Sequence, residues 1–141
     1  MKIFLASAFR TEEDQKFLDR IKKILIDDGN VVWCSRDHFG DYYGTTNPVR
    51  LKEIVETEKD EILKSDAMIV LLCNIMPEPL MQTFFASEYG IPVIIYINLR
   101  ENSKSIKLSP WIRYYGQIVK SDNAFLNSLK QIKVKIEKEY L

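Results

Sequence analysis

Glu58 falls where a helix should be apolar. Between Pro48 and Lys64, the residues Leu51, Ile54, Val55, Glu58 and Ile62 recur at i, i+3, i+4, i+7 and i+11, which puts Glu58 on the face meant for the core. A carboxylate there must find a partner, shift its pKa or line a cavity, because burying it alone is costly. Two outcomes stand open: a structural acid paired with a lysine or arginine at the rim, or a functional acid in a cleft. A second cluster, Ala6-Ser7-Ala8-Phe9-Arg10, offers backbone N–H groups, a hydroxyl and a guanidinium to an anion at a helix N-terminus. It lacks the glycines of a dinucleotide-binding or P-loop fingerprint. The lone histidine, His38, has no cysteine or second histidine nearby in sequence and reads as a loop residue rather than a ligand or base. Cys34 and Cys73 sit within apolar runs, where free thiols act as small hydrophobes.

The elements that must position these groups alternate in type. Apolar runs at 2–6, 30–34, 67–73, 92–96 and, more weakly, 116–119 read as strands. Amphipathic stretches at 12–28, 48–64, 80–89 and 122–140 read as helices, with Gly29 and Gly90 as stops. The run Ala67 to Cys73 is continuous rather than alternating, which predicts a central parallel strand covered on both faces. The order predicts an α/β domain, a flavodoxin-like (Rossmann-like) five-stranded, mainly parallel sheet with helices on both faces, spanning residues 1–141 as one unit. Such sheets bind ligands at the carboxyl ends of their strands. Three connections are long enough to serve a site: 35–47, 74–79 and 98–110.

Composition narrows the classes further. Twenty basic residues balance twenty acidic ones, so the chain has no basic footprint for a nucleic-acid polymer. The longest uncharged apolar run, 67–76, is about half of what a membrane-spanning helix needs. The N-terminus has one basic residue and turns polar too soon for a signal peptide. Two cysteines make neither a disulfide framework nor a metal site by themselves. A cytoplasmic domain with no cofactor is the expectation.

Four segments together resemble the nucleoside 2-deoxyribosyltransferase family and its nucleotide N-glycosidase relatives. They are Ile3-Phe-Leu-Ala-Ser-Ala-Phe9, Lys59 through Val70, Tyr89-Gly-Ile-Pro-Val-Ile-Ile95 and Ile106-Lys-Leu-Ser-Pro-Trp111. A TIR-like domain shares the alternating order, but Ser109-Pro-Trp111 favours the first family. The family places an active-site acid eight residues before the aspartate matched by Asp66, and that position is Glu58. The resemblance implies cleavage or transfer at the N-glycosidic bond of a nucleoside or nucleoside 5′-monophosphate. It further implies substrate contacts from Phe4, Ser7, Arg10, Asp66, Lys107 and Trp111, with Ser7 beside a 5′-phosphate. A homodimer or larger homo-oligomer is also implied, with Lys107 or Trp111 near the partner's pocket.

One position departs from the family. Its nucleophilic glutamate lies eight residues before the glycine matched by Gly90, and this chain has Gln82 there; Phe84 stands where the family has glycine. The chemistry needs a carboxylate at the anomeric carbon, and a neutral amide is a poor substitute. Glu88 lies six residues further on, a rotation of about 240°, and faces elsewhere. Three readings follow: a binding protein that kept the pocket, a glycosidase working through Glu58 and Glu78, or a chain whose glutamine replaces glutamate to trap a ligand.

Overall fold

The computed structural model describes residues 1–74, 76–98 and 108–140. Eleven elements run β1 (Lys2–Ser7), α1 (Glu12–Asp27), β2 (Val31–Trp33), α2 (Ser35–Phe39), α3 (Pro48–Leu63), β3 (Ala67–Leu72), α4 (Pro77–Glu88), β4 (Val93–Ile97), α5 (Pro110–Tyr115), β5 (Gln117–Val119) and α6 (Asp122–Glu139). All strand pairs are parallel, in the order β2-β1-β3-β4-β5. That is the flavodoxin-like doubly wound order, whose switch point lies between β1 and β3. Every residue of β3 is buried, as its unbroken apolar run predicts, and β3 is the middle strand.

Alternation along each strand divides the core in two. Ile3, Leu5, Ile69, Leu71, Ile94 and Tyr96 pack against Phe17, Ile21 and Leu25 of α1 and Phe125 and Leu129 of α6. Phe4, Ala6, Met68, Val70 and Ile95 pack on the other face against Ile62 of α3 and Ala86 of α4. Local chemistry starts the helices. Thr11 and Asp14 close a capping box on α1, Asn47 caps α3 ahead of Pro48, and Ser121 caps α6. Gly29 and Gly90, at φ of 85° and 75°, take the left-handed conformation that lets the chain leave α1 and α4.

Three expectations change. Only Ile54, Glu58 and Ile62 of α3 are buried, whereas Leu51 and Val55 are 44% and 49% exposed; one row meets the sheet and its flanks are open. The connection 35–47 contains the five-residue α2, and α5 follows Ser109; both are too short to show a helical period in sequence. The fourth helix begins at Pro77, three residues before the predicted Leu80, because proline suits the first helical turn. No helix among the described residues is long and apolar enough to cross a membrane.

Asp66 holds the amino ends of the central strands together. Its carboxylate accepts from the Lys2 N–H at 2.8 Å, and its own N–H donates to the Lys2 carbonyl at 2.8 Å. This lies at the opposite end of the sheet from the switch-point crevice, so the substrate role implied for Asp66 is replaced by a structural one. Asp66→Ala should cost about 1–3 kcal/mol in urea unfolding, the penalty of an orphaned strand N–H, and leave ligand affinity unchanged.

Candidate functional site

Glu58 is 6% exposed, and its carboxyl Oε2 is the meeting point of three elements. The hydroxyl of Ser35, the first residue of α2, donates to it at 2.8 Å. The side-chain amide of Gln82, from α4, donates to the same oxygen at 2.5 Å. Burial drives the Glu58 pKa up from 4.5 to about 7, with the charge of Glu78 adding to the rise and the two donated hydrogen bonds opposing it. A carboxyl so placed holds its proton to near neutrality and can give it up there, which is what a general acid requires.

Glu58, Glu78 and Gln82 line one cavity of about 260 Å³ between α3 and α4. Its remaining walls are apolar, from Val55, Ile62, Met81 and Phe85, with Lys59 holding its ammonium 5.6 Å from the Phe85 ring. Gln82 and Glu78 are four residues apart on α4, so helical geometry brings both to one side. Tyr42, in the turn after α2, donates its hydroxyl to Glu78. A polar end and apolar walls make a cleft for an amphipathic small molecule.

The other sequence-assigned residues distribute differently. Phe4 is fully buried in the core and stacks on Trp33 at 5.1 Å, a packing position where the resemblance implies a substrate contact. Ser7, the last residue of β1, donates its hydroxyl to the Ala8 carbonyl at 2.6 Å and is not part of the cavity wall. The N-terminus of α1 does not suit an anion. Its capping box occupies the Thr11 and Asp14 N–H groups, and Glu12, Glu13 and Asp14 make its first turn acidic. Arg10 is exposed, with its guanidinium 4.4 Å from the Tyr43 ring centre.

Trp111 is 68% exposed and lines a neighbouring apolar cavity of about 470 Å³ between α4 and α5, which shares Met81 with the first. Phe84 turns toward that cavity, 5.1 Å from the Tyr115 ring, and leaves the space around Gln82 open. Lys107 lies outside the described residues. His38 is exposed on α2 beside Trp33, a helical position where a loop is expected. Cys34 and Cys73 are buried thiols outside any disulfide, and burial pushes the Cys34 thiol up to about 11. Among the described residues, no cluster of histidine, cysteine and carboxylate side chains could hold a metal ion.

Ser35 and Tyr42 are the site residues that sequence reading misses. The glycine-flanked aromatic stretch Asp37 to Thr46 marks the segment as unusual, but nothing in it points to the carboxylates 23 and 36 residues further along the chain.

No protein-family model matches the chain, and no curated protein matches it in sequence. Among solved structures it superposes on a 2-deoxyribosyltransferase from Bacillus psychrosaccharolyticus with a TM-score of 0.75 at 16% identity, covering 89% of this chain and 90% of that one. A conserved protein from Enterococcus faecalis gives a TM-score of 0.68 at 16% identity, over 93% and 98% of the two chains. A CMP N-glycosidase from Clostridium botulinum gives 0.63 at 15% identity, over 92% and 99%. At such identities the likeness establishes a shared fold.

The raised pKa of Glu58 has a consequence for stability. Folded protein keeps a proton between pH 4.5 and about 7 that the unfolded chain has released, so stability falls as pH rises through that window. Glu58→Gln removes the cost of ionising a buried carboxyl. It should gain about 1–3 kcal/mol relative to the parent on going from pH 5 to pH 8 in chemical denaturation.

Proposed function

We propose that this chain binds a nucleoside or nucleoside 5′-monophosphate in the α3–α4 cavity and cleaves or transfers its N-glycosidic bond, with Glu58 as the proton donor. The observation that carries this reading is the buried Glu58 carboxyl, held by Ser35 and Gln82 and pushed up to about 7. A departing base needs a proton at the moment the bond breaks, and an acid with a pKa near the working pH supplies it best. The structural likeness to a 2-deoxyribosyltransferase and a CMP N-glycosidase supports the same class of substrate.

In the hydrolytic direction the C1′–N bond breaks with its electron pair leaving on the base, which takes the Glu58 proton. Water then adds to the sugar cation and returns a proton to the Glu58 carboxylate, leaving free base and free sugar. A second base arriving in place of water gives transfer. The apolar walls Val55, Met81 and Phe85 suit the faces of a base, Lys59 is the cation on the cavity wall, and Arg10, outside that wall, is the phosphate contact that the resemblance implies. The protein acts without a cofactor, in the cytoplasm, where its buried thiols stay reduced. Exposed Met81, Phe84 and Trp111 form an apolar surface on α4 and α5 that fits a homodimer.

A second reading is favoured by Gln82 itself. An amide where the resemblance expects a charged glutamate is consistent with a binding protein that has lost its chemistry. Base release from paired nucleosides and 5′-monophosphates, followed from pH 5 to 9, separates the two. The glycosidase reading expects turnover that declines above about pH 7 as Glu58 loses its proton, and a loss of at least about a hundredfold in Glu58→Gln. No release from the parent, with release appearing in Gln82→Glu, would establish the binding reading instead.

A further inference from the structure

The α3–α4 cavity holds two carboxylates in different surroundings, which suggests a division of labour. Glu58 has both of its donors on one oxygen and sits deep, where ionisation is disfavoured. Glu78 lies in the first turn of α4, one helical turn before Gln82, at the positive end of the helix. The Tyr42 hydroxyl donates to its Oε1. A sugar losing its base develops positive charge at C1′ and the ring oxygen, and a fixed negative charge facing that centre lowers the barrier.

Resting on the nucleoside-site reading above, we propose that Glu78 is the carboxylate that faces this positive charge, and that Tyr42 is the positioning residue that aims it. The negative charge missing at residue 82 is thereby supplied from the preceding turn of the same helix face, about 6 Å along the axis.

The surroundings of Tyr42 show why it can aim a carboxylate. Its ring is fixed on three sides, by Phe9 at 5.4 Å, Tyr43 at 5.3 Å and Phe39 at 6.0 Å between centroids. Tyr43 is tied in turn to the β1–α1 turn, because its hydroxyl accepts the Phe9 N–H at 3.2 Å. A ring so wedged holds its hydroxyl against the Glu78 carboxylate. Burial and the bond to Glu78 push the Tyr42 pKa upward, so it remains a donor and adds no negative charge. The charged groups facing the cavity among the described residues are Glu58 and Lys59 from α3 and Glu78 from α4, so Glu78 is the source of negative charge once Glu58 is protonated.

The test uses the intact chain and a pair of sugar mimics that differ only in charge. 1,4-Dideoxy-1,4-iminoribitol carries a protonated ring nitrogen, and 1,4-anhydroribitol is its neutral counterpart. Calorimetry at pH 6, where Glu58 is mostly protonated, should show the cation binding at least tenfold tighter than the neutral compound. Glu78→Gln should abolish that preference without weakening the neutral compound. Tyr42→Phe, which keeps the ring and loses only the hydroxyl, should reduce it severalfold, and the double variant should lose no more than Glu78→Gln alone. Nucleoside binding without cation preference, or a preference that survives Glu78→Gln, would overturn this assignment and leave the nucleoside site standing. Additive losses in the double variant would overturn the role of Tyr42. Failure of nucleosides and both mimics to bind would overturn the site reading and this inference with it.

Discussion

The buried carboxyl of Glu58, pinned by a hydroxyl from one element and an amide from another, is the interaction around which the candidate site is arranged. A carboxyl at 6% exposure must be neutral, paired or fully hydrogen-bonded. Both of its donors are neutral groups, from Ser35 and Gln82, and the like charge of Glu78 opposes its ionisation. The result is an acid that keeps its proton. It also ties α3 to the start of α2 and to α4, so the same contact that sets the pKa closes one end of the cleft. The candidate site thereby lies at a point where the fold sacrifices some stability above neutral pH.

Much of the fold was legible because the two periodicities of the chain are strong. The unbroken apolar run at 67–73 read as a strand covered on both faces, and the helical periods of α1 and α6 brought Phe17, Ile21, Leu25, Phe125 and Leu129 into the core while Ile24, Ile132 and Ile136 stay half-buried. What escaped was short. A five-residue helix such as α2 never completes the two turns needed to show a period, and it is part of a connection whose aromatics hide its polarity. The flanks of α3 were misjudged for a different reason. Leu51 and Val55 are spaced for a broad apolar face, but the helix meets the sheet along a single row.

The site divides along the same line between local and long-range information. Glu58 could be singled out because its fault is visible within one helix. Gln82 and Glu78 needed the family resemblance to be noticed, and the structure then joined all three at one cavity. Ser35 and Tyr42 could not be found, because a hydrogen bond across 23 or 36 residues leaves no trace in spacing. Phe4 and Asp66 sit in segments that resemble a known family and still do structural work: the first stacks on Trp33 in the core, and the second stitches β1 to β3 at the far end of the sheet. Matching a motif located the segment; only the direction of each side chain decided its role.

The likeness to glycosyl-handling enzymes is one of fold, so the chemical claim rests on the protonation of a single residue. Carboxyl 13C NMR of protein labelled at glutamate, with Glu58→Gln identifying the resonance, reads that protonation directly. The account predicts a Glu58 midpoint near 7, lowered when Glu78→Gln removes the neighbouring like charge. A midpoint at the ordinary 4.5 would mean that Glu58 is ionised at neutral pH, and the acid assigned to this site would not exist.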